Sequence, residues 1–172
     1  MKTNSKNKGS RFERTIAKSL EAWSGHAFSR TPGSGGWAKA KDAVGDIICT
    51  DNKHSRRFAF SIECKNYKDI RFEHMLLNMK SCKIVNFWNQ ATRDANKVGK
   101  LPLLIMKYNS MPKGEAFVIV TPEMYKFLKK KCKIHMRVTT PKIDVGIFLL
   151  KDITSQWEYG YVHLHARKLL KN

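Results

Sequence analysis

Leu101 opens the stretch LPLLIMKY, residues 101–108, whose first six positions are all apolar. A run with no polar face to turn toward water predicts a strand covered on both sides, and a strand so covered needs a sheet with helices packed on it. The rest of the chain supplies the partners. Residues 2–9 are polar and basic and read as a flexible arm; from Ser10, Phe12, Ile16, Leu20 and Trp23 recur every three or four residues, predicting an amphipathic helix that stops at Gly25. Residues 29–45, rich in Gly, Ser and Pro, predict a long loop. DIICT at 46–50 and FAFSIECK at 58–65, separated by DNKHSRR, predict a hairpin. Residues 71–98 read as helix interrupted near Ser81 and stopped at Gly99, followed by the strand at 101–108 and another at 116–120. Thr121 and Pro122 have the form of an N-cap and first helical residue. Residues 145–150 and 159–166 are expected to be strands. The order predicts an α/β fold with a central mixed β-sheet flanked by helices, as one domain over residues 1–172.

Lys and Arg number 33 against 14 Asp and Glu, a net charge of +19, yet 42% of the residues are hydrophobic. The chain therefore has material for a core and is not a disordered basic tail. Nucleic acid is the first partner such a surface implies, with an anionic membrane surface second. No stretch reaches the ~18 apolar residues of a membrane span, and no signal-peptide core follows the basic start, so a soluble cytoplasmic protein is expected. Cys49, Cys64, Cys82 and Cys132 form no CxxC pair and read as reduced, buried thiols. His163 and His165 would share one face of a strand, and read as core or exposed histidines rather than metal ligands.

The hairpin carries the chemistry. Glu63 and Lys65 lie two apart on one strand and so share a face, opposite Ile62 and Cys64. A turn centred between His54 and Ser55 sets Asp46 across from Glu63. Two carboxylates and an ammonium among apolar neighbours suit Mg2+, which takes oxygen ligands and keeps waters for a substrate phosphate. An exposed cross-strand salt-bridge cluster has the same composition.

GDI at 45–47 with IECK at 62–65 resembles the (P)D…(D/E)xK signature of the restriction-endonuclease-like nuclease superfamily. The longer order, KGSRFER at 8–14, SRTPGSGG at 29–36, GDI, IECK, a helix with Trp88 and Gln90, then GKLPLLIMK at 99–107, resembles the archaeal-type Holliday junction resolvases and their phage-borne relatives over residues 8–108. The resemblance implies a nuclease core over that span, with residues 109–172 as an elaboration of the same domain. It implies Asp46, Glu63 and the Cys64 carbonyl as metal ligands, Lys65 as the catalytic lysine, and Glu13 as a further catalytic and metal-binding acid. Ser10 and Glu13 equally fit a capping box, in which Glu13 only closes a helix end. Ser34, in the Gly-rich segment after Arg30, would approach the cleaved phosphate, and Gln90 would orient Lys65 or a phosphate. Trp88 reads as core, and the lysines of residues 126–133 as a solvated face or a phosphate contact. Arg11, Arg14, Arg30, Lys39 and Lys41 would hold DNA over the carboxylates.

The expected activity is a Mg2+-dependent endonuclease, with Mn2+ as a substitute, making paired nicks in four-way DNA junctions as a homodimer, with no membrane partner. If it is phage-encoded, its place is the host cytoplasm. Another nuclease of the superfamily acting on duplex or single-stranded DNA, or a non-catalytic DNA-binding protein, is the alternative.

Overall fold

The computed structural model describes residues 5–31 and 44–171. Its elements are α1 (Ser5–Ser24), β1 (Phe28–Arg30), β2 (Ile47–Cys49), a 3-10 turn at Ser55–Arg57, β3 (Phe60–Tyr67), α2 (Glu73–Leu76), α3 (Lys83–Lys97), β4 (Leu101–Tyr108), β5 (Phe117–Val120), α4 (Pro122–Leu128), β6 (His135–Thr140), β7 (Ile143–Leu149), α5 (Leu150–Gln156) and α6 (Tyr159–Leu169). The strands form one seven-stranded sheet in the order β1-β2-β3-β4-β5-β7-β6. Among the described strands β3 and β4 are the parallel pair, in register from Phe60 with Leu101 to Tyr67 with Tyr108; the other neighbours are antiparallel. The mixed sheet flanked by helices is the predicted α/β architecture.

β4 sits at the centre because its side chains have apolar neighbours on both faces. Ile105 joins the core built with Phe12, Ile16 and Leu20 of α1 and Val162 and Ala166 of α6. Leu104 and Met106 join the opposite core with Ile84, Trp88 and Ala91 of α3. Leu104 and Ile105 are fully buried, and each such side chain stabilises the fold by about 1.5–3 kcal/mol. α1 and α3 are held on opposite faces of β3 and β4, which brings both helices to the candidate site.

Several local expectations hold. Gly25 follows α1 with φ +72, Gly99 follows α3 with φ +62, and the Thr121 hydroxyl accepts from the Met124 amide at 3.4 Å to cap α4. All four cysteines are free and buried, and Trp88 is core. No helix among the described residues is long and apolar enough to cross a membrane.

Other expectations are corrected. α1 begins at Ser5, so the arm foreseen over residues 2–9 is helical from that residue on. The Lys8 ammonium donates to Asn109 Oδ1 beyond β4, tying the early turns to the sheet. Ser10 is consequently inside the helix and caps nothing, which removes the capping-box role of Glu13. Residues 159–166 form helix, not strand: Tyr159, Val162, His163 and Ala166 are the buried positions, at helical spacing. His163 and His165 therefore do not share a face. His163 Nε2 donates to the Arg57 carbonyl at 3.0 Å, while His165 stacks on Phe127 at 4.1 Å between ring centroids. Ser29 and Arg30, read as loop, belong to β1, and β6 went unforeseen because most of its residues are exposed.

Candidate active site

The pairing of Ile47 with Ile62 sets Asp46 across from Glu63, the register that the hairpin midpoint predicts. Gly45 makes the approach possible. Its φ is +98, and a Cβ there would lie 2.6 Å from the Ile62 carbonyl oxygen, so a side chain would push β2 off β3. The Asp46 amide donates to that carbonyl at 2.7 Å, and the Thr31 amide donates to the Asp46 carbonyl at 2.9 Å. Thr31 Oγ1 adds a bond to the Gly45 carbonyl at 2.7 Å. The peptide carrying Asp46 is thus clamped between β1 and β3.

Asp46 Oδ2 accepts from the Cys64 amide at 2.8 Å. Glu63 is buried at 6% exposure, and its Oε1 accepts from both the Lys65 ammonium and Gln90 Nε2, the latter at 2.9 Å. Lys65 also lies over the Phe87 ring, 5.5 Å from its centroid. α3 therefore supplies an amide and an aromatic face to the two functional side chains of β3. Glu13 reaches from α1 to an ion pair with Arg30 of β1, and its charge acts on Asp46.

The electrostatics set the chemistry. Burial, then the charge of Glu63, pushes the Asp46 carboxyl up to about 6 against the opposing Cys64 amide and Lys65 ammonium. For Lys65, burial alone would favour the neutral amine, but the hydrogen bond and charge of Glu63, with Asp46 behind it, raise its pKa above the ordinary value. The ammonium is therefore retained at neutral pH. Asp46 and Glu63 set two carboxylates beside a single ammonium, and the excess negative charge is the condition a divalent cation relieves.

The donor set fits such an ion. The N–H and C=O of one strand residue point to the same side. Since the Cys64 amide points at Asp46, its carbonyl lies on the Asp46 side as well. Carboxylate and carbonyl oxygens with room for water suit a hard cation such as Mg2+. Among the described residues no three His, Cys, Asp or Glu side chains are grouped as a metal cage. The Cys64 thiol faces the opposite core, and burial raises its pKa well above the ordinary thiol range.

Asp46, Glu63, Lys65 and Gln90 are thus brought together, with Glu13 and Arg30 beside them. Arg11 and Arg14 are exposed on α1. Ser34, Lys39 and Lys41 lie outside the described residues. Thr31 and Phe87 were missed. Phe87 counted only as part of an apolar stripe, and Thr31 carried no signal beyond its place after Arg30.

Residues 4–162 match a family profile described as "Phage putative PDDEXK endonuclease". The chain belongs to this family. Membership carries the restriction-endonuclease-like fold predicted from the motifs. Within the wider comparison, Protein D14 of Escherichia phage T5 is 30% identical over 108 residues, which are 62% of this chain and 66% of that protein. The chain thus spans slightly less than two thirds of that relative's length. The solved structure of Archaeoglobus fulgidus Hjc, a Holliday junction resolvase from an archaeal hyperthermophile, is similar over 91% of this chain and 95% of that chain, at 17% identity and a TM-score of 0.38.

Proposed function

We propose that this phage-family PDDEXK chain is a metal-dependent DNA endonuclease that nicks four-way junctions, working as a homodimer. The observation that carries the nuclease reading is the convergence of Asp46 and Glu63 with the charged Lys65, on a chain whose net charge is +19. The choice of junction follows from the resemblance of residues 8–108 to junction resolvases. A two-fold dimer would present two equivalent sites to a branched substrate.

In this reading Asp46, Glu63 and the Cys64 carbonyl would hold Mg2+, or Mn2+ in its place, with Glu13 the further acid of the site. A bound divalent ion would lower the pKa of a water and draw off charge developing on the phosphate. Lys65, kept cationic by Glu63, stabilises the transition-state phosphoryl oxygens. Gln90 holds the Glu63 carboxylate in place. Arg11, Arg14, Arg30, Ser34, Lys39 and Lys41 contact the DNA backbone, and cleavage leaves 5′-phosphate and 3′-hydroxyl ends.

The test is cleavage of a synthetic four-way junction against excess linear duplex, in Mg2+ and in EDTA, by wild type and by Asp46→Asn and Glu63→Gln. Paired nicks in the junction only, lost in EDTA and in both variants, are expected. Equal cutting of duplex or single strands would reassign the substrate, and cutting by the variants at wild-type rate would overturn the site.

A further inference from the structure

Glu63, Lys65 and Tyr67 alternate with Cys64 and Asn66 along β3 and so stand on one face of the sheet. Gln90, Phe87 and Lys83 stand three and four residues apart on α3 and so form one stripe of that helix. The stripe meets the strand rung by rung. Gln90 Nε2 donates to Glu63 Oε1 at 2.9 Å, the Lys65 ammonium lies 5.5 Å from the Phe87 centroid, and the Lys83 ammonium lies 5.1 Å from the Tyr67 centroid. The two rings touch, 4.9 Å apart between centroids. The match holds because two strand residues rise about 6.6 Å and three or four helical residues about 4.5–6 Å.

The first two rungs belong to the carboxylate site. At the third, a cavity of about 300 Å³ opens over Met106, walled by Tyr67, Phe87, Lys83 and Arg71. Both rings are half-buried and Lys83 is exposed, so a ligand in the cavity can reach them. Asp69 on the rim is paired with Arg71 at 3.2 Å, which compensates that carboxylate and leaves Lys83 to make the cavity cationic. Accessible ring faces beside an ammonium suit a nucleotide, whose base stacks and whose phosphate pairs with the cation. The cavity is at the small end of ligand sites. It has room for one base and none for its partner, so the base enters unpaired. Tyr67 stands about 6.6 Å along β3 from Lys65, nearly twice the about 3.4 Å rise of a stacked base step, an interval that suits an unstacked nucleotide.

We propose that this cavity receives one unpaired nucleotide adjoining the scissile phosphate, its base against the Tyr67 ring and its outer phosphate on Lys83. The flexible stem of Lys83 lets its ammonium leave the ring face to the base as it meets the phosphate. Turning a base out costs least where it is already unpaired, so the cavity favours branched or mismatched DNA over intact duplex. The inference rests on the DNA-nuclease reading above and is independent of the choice of junction.

Single abasic nucleotides scanned through the cut strand of whichever DNA the wild type cleaves test it. Wild type should lose about tenfold in cleavage rate at one position beside the cut, the scale of one base–aromatic stack. Tyr67→Leu should be indifferent to that abasic site, whereas Tyr67→Phe, which keeps the ring, should retain the loss. A methylphosphonate at the phosphate beyond that nucleotide supplies a second arm should Tyr67→Leu not fold. It should weaken wild-type binding in EDTA several-fold and leave binding by Lys83→Gln unchanged. An abasic loss equal in wild type and Tyr67→Leu, no loss at any position beside the cut, or a methylphosphonate penalty equal in wild type and Lys83→Gln overturns the nucleotide site alone. A wild type that cuts no DNA overturns the nuclease reading beneath it.

Discussion

Gln90 and Lys65 donate to the same oxygen of Glu63, one from α3 and one from β3 itself. The buried carboxylate is therefore oriented from two elements at once, and Gln90 acts through Glu63. Gln90→Ala should lower cleavage by about 10–100-fold, the usual cost of losing a residue that orients a metal ligand. It should also raise the Mg2+ concentration needed for half-maximal rate. A Mg2+ requirement equal to that of wild type would show that Gln90 does not position the site.

Asp46 places function and stability in opposition. Its carboxyl titrates near 3.8 in the unfolded chain and at about 6 in the fold. Between those values the folded chain holds a proton that the unfolded chain has lost, so stability falls as pH rises through that window and stays lower above it. Asp46→Asn removes the ionisation. Urea unfolding should find the variant more stable than wild type by about 1–3 kcal/mol near pH 8, with the gain vanishing near pH 4. The same variant should be inactive. Equal stability differences at both pH values would contradict the assigned burial.

Glu13 lies well inside α1 and pairs with Arg30. Glu13→Gln should change unfolding free energy by less than about 1 kcal/mol, as for other partly solvated ion pairs. Cleavage should nonetheless drop by at least about tenfold. A variant that loses stability but cuts at the wild-type rate would make Glu13 structural.

His163 is buried under α6 beside His54, whose ring lies 4.6 Å away, and burial first, then the charge of His54, lowers its pKa to about 4. The unfolded imidazole takes its proton near 6.5, so stability is present above that value and is lost as pH falls from 6.5 toward 4. His163→Gln should flatten the acid side of the stability profile measured by urea unfolding. A slope as steep as that of wild type would assign acid sensitivity elsewhere.

The site was legible where chemistry is written locally. The alternation of strand side chains put Glu63 and Lys65 on one face, and the hairpin midpoint set Asp46 opposite Glu63, because the period follows from the backbone and the register from the turn and the apolar pattern beside it. Residues 159–166 defeated the same reasoning. YGYVHLHA fits an alternating pattern, but the packing of Tyr159, Val162 and Ala166 against the α1 side of the sheet selects the helix. Ser10 and Glu13 have capping-box spacing, and only the upstream turns, tied down by Lys8 and Asn109, show that the helix has already begun.

By itself, then, the sequence determined the α/β class, the buried central strand and the Asp46, Glu63 and Lys65 constellation, since each rests on patterns within a few residues. Tertiary structure decided the rest. That Gln90 and Phe87 meet β3, that Glu13 pairs with Arg30, and that Tyr67 and Lys83 line one cavity are contacts between elements distant in sequence. They exist because burying the two faces of the sheet brings α1 and α3 to the same strand, a consequence of packing that no local pattern encodes.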